Sequence, residues 1–288
     1  MSTTGPSLDK ELAVEQDRTS TPASEPVSEK GSAVKPSSRL IRIRAYSLAN
    51  VSPNHADILF LACCLISGFV DSSIYRAFGT FVSMQTGNTI FLGLGGATPH
   101  TTTKPYGWAK SLVSITSFCL GCTLFSHATK HLGSLRRSTL VASFLFQTLV
   151  IFTAAAVVQG GSVDGSLNTI TDDISWWDMI PIALLSFQAA GQIVGSRALS
   201  LSEIPTVVVT SMLHDISTDP KFFAGLNKNV KRNRRVAAFL LILIGAIAGG
   251  FIGEGTKRMQ IPLWIAGGLK LGIVIAWMLW PEAKASAV

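Results

Sequence analysis

Residues 79–97 read GTFVSMQTGNTIFLGLGGA, and residues 203–216 read EIPTVVVTSMLHDI. Both are apolar enough to enter a bilayer, yet neither is built like an ordinary span. A helix needs about 20 residues to cross about 30 Å of hydrocarbon. The second stretch reaches only about 21 Å as helix and opens with Pro205. The first is long enough, but Gln85-Thr86-Gly87-Asn88 stand at its centre, followed by Gly93, Gly95 and Gly96. Residues so polar or so weak in helix propensity at mid-membrane mark a break.

Around these two lie six longer apolar segments, at about 56–75, 108–130, 138–158, 176–199, 236–256 and 262–280. The 288-residue chain has a mean hydropathy of +0.40 and 14% charged residues, where soluble domains carry about 25%. The net charge of +7 comes from basic residues flanking apolar runs, which orients a membrane protein and argues against nucleic acid as a partner. The reading is an all-α polytopic transmembrane helix bundle.

Charge decides how the eight segments run. If all eight cross with the N-terminus inside, the loop with Lys130, Arg136 and Arg137 lands outside, and the 159–175 loop, with Asp164, Asp172 and Asp173, lands inside; both placements violate the positive-inside rule. If 79–97 and 203–216 each enter and leave on one face, the tail arginines, the 130–137 loop and the loop with Lys221, Lys228, Lys231, Arg232, Arg234 and Arg235 all face the cytoplasm. Arg76, Lys104, Lys110, Lys257 and Arg258 oppose the pattern. The expectation is six full spans plus two broken or re-entrant segments, with both termini cytoplasmic and the organelle or plasma membrane left open.

Residues 1–50 form the expected first domain and 51–288 a multi-span membrane domain. The first 38 residues or so are Ser-, Thr-, Pro-, Glu- and Lys-rich and cannot bury enough surface to order themselves, so the tail reads as disordered. No apolar core of a signal peptide stands in residues 1–35. Arg39, Arg42 and Arg44, interleaved with apolar residues, form either a short interfacial helix on an anionic leaflet or a basic stop before the first span. Trp108, Trp176, Trp177 and Trp264 fall at outer boundaries and Trp277 and Trp280 at an inner one, as an aromatic belt would place them. Cys63, Cys64, Cys119 and Cys122 read as small buried thiols, without a metal set or disulfide framework.

A weak duplication links the two odd stretches. In 65–94 and in 185–216 a span carrying polar residues leads through an arginine, Arg76 or Arg197, into an apolar, Thr-containing segment. In the six-span topology the copies are inverted, the layout of many secondary transporters.

The same residues carry a resemblance. Gly68-Phe69-Val70-Asp71, Phe81 through Asn88, and Pro205-Thr206-Val207-Val208-Val209-Thr210 resemble the YoaK-type membrane proteins, the family with domain of unknown function 1275, over about 56–280. Thr210-Ser211 departs from the Thr-Gly expected by similarity. The resemblance implies a polytopic membrane protein and no particular substrate.

The candidate transport site gathers Asp71, Gln85, Thr86, Asn88, Gln188, Gln192, Thr206, Thr210 and Lys270. Asp71, three residues after Gly68, is read either as a proton or cation site or as an interfacial carboxylate capping the turn at Arg76. Lys270 lies too deep in its span to reach the interface and needs a partner, a neutral form or a wet cavity; a pair with Asp71 is within reach by depth alone. The uncharged residues either line a midplane site or hold helices together. Gly245, Gly249 and Gly253, like Gly191 and Gly195, favour close helix contact within the bundle. His214-Asp215 reads as a polar segment end and His127 as interfacial. No catalytic, cofactor-binding or metal motif is present in the sequence. The expected function is a secondary transporter or permease of a small solute or ion; the alternative is a non-transporting membrane scaffold or regulator. The lipid bilayer is a partner in either case, and homo-oligomerisation stays open.

Overall fold

The structure is a computed structural model that describes residues 39–97, 107–166 and 175–283. The tail through residue 38, with its expected disorder, lies outside the described residues, as do Lys104, Asp172 and Asp173. The described chain forms helices α1 Arg39–Leu48, α2 Asp57–Phe78, α3 Gln85–Ala97, α4 Gly107–Leu132, α5 Arg137–Gln159, α6 Met179–Ala198, α7 Thr210–Ser217, α8 Val230–Thr256 and α9 Gln260–Leu279. Six of these, α2, α4, α5, α6 with its leading turn, α8 and α9, are long and apolar enough to cross a membrane. Their large outward side chains, such as Leu120, Leu124, Phe146, Leu149, Leu243, Ile247 and Phe251, are exposed in a way that only lipid can cover. The protein is an integral membrane protein.

Local chemistry sets the helix ends. Gly79 at φ 70° stops α2 and donates its N–H to the Tyr75 carbonyl. Pro181 and Pro262 sit in the first turns of α6 and α9, where a missing N–H is harmless. Asn229 caps α8 by accepting the Arg232 N–H at 3.1 Å. That cap draws Lys231 to Arg235 into the helix, so α8 begins several residues before the expected 236.

Side-chain contacts give the direction of every span. Along α2 and α8, Asp57 meets Arg234, Leu65 meets Gly245, Phe69 meets Gly249 and Arg76 meets Gly250 and Glu254, so the two run parallel. Along α4 and α6, Lys110 meets Asp178, Ser114 meets Ser186, and Gly121 meets Phe187 and Ala190, which is again parallel. Helices α5 and α9 are antiparallel, pairing Phe144 with Trp277, Phe152 with Gly267 and Gln159 with Trp264. Helix α5 also opposes α6, with Phe144 near Gly195 and Gln147 against Gly191, and α9 opposes α2, with Trp277 on Phe60 and Trp280 on Ser52. Taken in chain order, the six spans therefore alternate in direction. It follows that the stretch holding α3 enters and leaves at one end of the bundle and the stretch holding α7 at the other. Neither crosses.

Both short stretches are broken, but not where their sequences suggest. The irregular backbone of the first spans residues 79–84, and Gln85-Thr86-Gly87-Asn88 open α3 rather than interrupt it. In the second, Pro205 lies in irregular backbone between α6 and α7, and helix begins only at Thr210.

Packing obeys an exchange rule. When α2 is swapped with α6, α3 with α7, α4 with α8 and α5 with α9, each principal packed pair among these eight helices maps onto another: α2·α8 onto α4·α6, α3·α4 onto α7·α8, α5·α6 onto α2·α9, and α4·α5 onto α8·α9, while α2·α6 and α5·α9 map onto themselves. Burial follows the same rule. The apolar windows of α2 and α6 are 67% and 61% buried, those of α4 and α8 17% and 28%, and those of α5 and α9 44% each. The central helices are α2, α5, α6 and α9.

The chain divides into Met1–Ser38 and Arg39–Val288. Helix α1, expected with the tail, docks on the bundle: the Tyr46 hydroxyl donates to the Met278 carbonyl, and the Arg137 guanidinium donates to the Tyr46 carbonyl while lying 3.5 Å from its ring centroid. The belt reading of Trp277 does not hold. It is fully buried between Phe60 and Phe144, because its face of α9 turns inward. Cys63 and Cys64 are buried as expected, whereas Cys119 is exposed on α4.

Candidate functional site

Two clusters of buried polar side chains stand out among the described residues. The first is built around the break after α2. Asp71 is 2% exposed and its carboxylate accepts the N–H groups of Val82 and Ser83 at 2.8 and 3.0 Å, together with the Ser83 hydroxyl. Asn88 holds the same loop from the other side. Its Oδ1 accepts the Thr80 hydroxyl and the Phe81 N–H, and its Nδ2 donates to the Phe81 carbonyl, Gln85 Oε1 and Ser114 Oγ, all within 2.8–2.9 Å. Ser114 reaches on to Ser186 of α6 at 2.8 Å, and Thr80 lies 3.2 Å from Ser111 of α4. Backbone that leaves helix inside a membrane must find donors and acceptors within the protein, and here side chains supply them. Asp71 thus matches neither sequence reading: it caps the break itself, not the turn at Arg76, and it faces amides rather than open space.

The second group lies on the four central helices. Lys270, eleventh of the 20 residues of α9, is fully buried, and its Nζ donates to Gln192 Oε1 of α6 at 2.7 Å. The Gln192 amide in turn donates to the Ser67 hydroxyl of α2. The Phe144 ring of α5 lies 5.4 Å from the ammonium. Gln188 stands one turn before Gln192 and Gln147 reaches α6 at Gly191; both are buried, and each has an Oε1 without a protein hydrogen-bond partner. The Asp71–Lys270 pair is not formed. Depth matched the two residues, but their side chains belong to different groups, one engaged by the break and the other by Gln192.

The remaining expected residues fall outside both groups. Thr86 and Thr210 are exposed. Thr206 is buried at φ 60°, with its hydroxyl on the Pro205 carbonyl, and shapes the second break. Thr80, Ser83, Ser111, Ser114, Ser186, Ser67 and Gln147 escaped the sequence reading. Ser111 and Ser114, three residues apart, were the available signal, but serine in a membrane helix commonly bonds its own preceding turn and carries no mark of a site.

Charged clusters close the two ends of the bundle. At the α1 end, Arg234 binds Asp57 at 2.9 Å and Glu203 at 2.7 Å. At the opposite end Lys110 binds Asp178 at 2.8 Å and lies 5.2 Å from the Phe78 ring centroid. Of the basic residues that opposed the charge pattern, Lys110 is thus neutralised by Asp178, and Arg76 and Lys257 both pair with Glu254. A paired cation is a weak topological signal. His214 and Asp215 are exposed, and Asp215 pairs with Arg235, in keeping with a polar helix end.

The motif residues acquire a common role. Gly68 allows the Ile242 carbonyl of α8 to touch α2, Asp71 and Asn88 clamp residues 80–83, and a Cβ at Gly87 would lie 2.9 Å from the Phe81 ring. No curated protein and no solved structure matches the chain. The expected relationship covered about 56–280; residues 59–276 match the family described as Protein of unknown function (DUF1275), and the chain belongs to that family.

Proposed function

We propose that the protein is a secondary transporter or permease of a small solute, built from two inverted repeats, α2–α5 and α6–α9. The single observation that carries this reading is the exchange rule combined with span direction. Each helix maps onto one of opposite direction, and the match extends to side chains. Asp57–Arg234 corresponds to Asp178–Lys110 at the opposite face, left-handed Gly79 to left-handed Ser200, and close-contact Gly121 to Gly245. Inverted repeats with broken helices meet at a midplane site in many transporters, where one packing exchanged between the halves opens first one face and then the other. The two charged clusters are then the gates, with the α1 end cytoplasmic. The coupling role expected of Asp71 passes to Lys270, because three donors already occupy the Asp71 carboxylate.

One observation favours the rival reading of a non-transporting scaffold: Asn88 spends its whole hydrogen-bonding capacity inside the bundle, as packing glue does. Flux across a broad solute panel in reconstituted vesicles separates the two. Transport requires measurable flux of at least one solute by the wild-type protein, reduced tenfold or more in both Arg234→Met and Lys110→Met. Negligible flux of every solute by wild type and variants alike overturns it in favour of the scaffold.

A further inference from the structure

We infer that the cargo of this protein is a small monovalent anion, held at the midplane with the Lys270 ammonium as its counter-charge; the inference rests on the transport reading above. Lys270 is fully buried halfway along α9. Its one side-chain hydrogen bond goes to the neutral carboxamide of Gln192, with the Phe144 ring beside it. An amide dipole and a ring face soften a unit charge without cancelling it, and an unbalanced charge at the bilayer centre is strongly disfavoured. The other buried cations lie within the first four residues of their helices and are treated differently: Arg232, third in α8, donates to the Phe222 and Ala224 carbonyls and to Asn233. Lys110 has Asp178, and Arg137, only 3% exposed, reaches two backbone carbonyls and Glu282. Among the described residues no carboxylate pairs with Lys270, and Asp71 is committed to the break.

The surroundings suit an anion. Gln192 and Ser67 join the ammonium, and Gln147 and Gln188 stand on the flanking turns with an unpaired Oε1 each. An amide whose oxygen has no protein partner can make a half-turn and present its two N–H donors instead. A cation would be repelled by Lys270, and a neutral solute would leave its charge as unbalanced as before. The position is also the one that alternation requires. The helices that hold the group, α2, α5, α6 and α9, are those forming the two pairs that the exchange maps onto themselves, α2·α6 and α5·α9, so both halves border it equally.

The test uses the full chain in vesicles clamped at zero potential. Chloride, nitrate and acetate serve as probes, with potassium, glycine and glycerol as controls. Flux of at least one anion is expected, at tenfold or more above every control, and it should fall tenfold or more in Lys270→Met and survive in part in Lys270→Arg. Binding gives a readout that does not depend on flux. The same anion should raise the thermal midpoint of the detergent-solubilised wild type relative to gluconate at equal ionic strength, and should not raise that of Lys270→Met. If Lys270→Met does not fold, the wild-type stabilisation and its partial retention in Lys270→Arg still decide. Flux confined to potassium, glycine or glycerol overturns the anion and leaves transport standing. Anion flux unchanged in Lys270→Met overturns the role of Lys270. No flux of any solute overturns both readings together.

Discussion

The two breaks occupy equivalent places in the two halves and are held in different ways. The first is clamped by buried hydrogen bonds, with Asp71 taking two amides and a hydroxyl and Asn88 gripping both faces of the loop. The second has no carboxylate in the role of Asp71 among the described residues, and its own, Glu203, is turned to Arg234. The Ser196 hydroxyl supplies the Leu201 and Ile204 carbonyls at 2.8 and 2.6 Å, and two non-glycine residues, Ser200 and Thr206, adopt φ 60°. The residue that corresponds to Asp71 by the exchange is Gln192, which holds Lys270 in place of a loop. One half thus commits its mid-helix polar residue to the loop, and the other commits its own to a lysine of the neighbouring span. Non-glycine residues in the left-handed region carry local strain of order 1–3 kcal/mol each, which the contacts around the second break must offset.

The largest effect should come from the contacts that both halves share. A Cβ at Gly245 collides with the Leu65 carbonyl, and one at Gly121 would lie 2.6 Å from the Phe187 carbonyl. Backbone cannot step aside as a side chain can, so Gly245→Leu and Gly121→Leu should both abolish the monodisperse folded peak on size exclusion. Were only one to do so, the exchange rule would be broken at its tightest point.

A smaller effect should separate the breaks. Asp71→Ala strands three buried donors, each at about 1–3 kcal/mol, and should lower stability by about 3 kcal/mol or more. Asp71→Asn, which keeps one acceptor, should fall between Asp71→Ala and wild type. Ser196→Ala removes one donor from two carbonyls and should cost about 1–2 kcal/mol. Thermal or denaturant unfolding in a fixed detergent gives the order directly, and a costlier Ser196→Ala would reverse the comparison.

The smallest effect lies outside the spans, in the connection from α7 to α8. The Asn229 amide and then the Lys221 N–H hold the Asp219 carboxyl below the usual aspartate range. A carboxyl lowered on folding stabilises fully above its unfolded value of about 3.9 and loses that contribution as pH falls through the folded value. Corrected for the intrinsic slowing of exchange in acid, amide protection over residues 219–232 should therefore fall below about pH 4, and Asn229→Ala should bring the same loss nearer to pH 4. Exchange that ignores both changes would remove Asp219 from the loop's support.

Much of the architecture was legible because length and polarity act locally. The number of spans, the two stretches that fail to cross and the close-contact glycine Gly245 follow from hydrocarbon thickness, charge flanks and spacing. The site was legible only in part. Lys270 bonds Gln192, with Gln188 buried one turn away, while Thr86 and Thr210 are exposed and Asp71 serves the break. Depth along a helix can be counted from residue numbers, but the direction a side chain points, and which helix stands opposite, cannot. That is why Trp277 read as a boundary residue and proved to be core, and why Asp71 and Lys270 matched in depth without meeting.

By itself the amino-acid sequence determined that this chain lives in a bilayer with six crossings and two interruptions, since these follow from the length and transfer free energy of each contiguous segment and from the charges that flank it. Tertiary structure alone decided that α2 lies beside α8 and α6 beside α4, that Asp71 is consumed by the first break, and that Lys270 is left without a carboxylate at the centre. Those outcomes depend on contacts between different segments, from 11 positions apart for Asp71 and Val82 to 177 for Asp57 and Arg234, where the energy belongs to the pair and neither partner's local sequence records it.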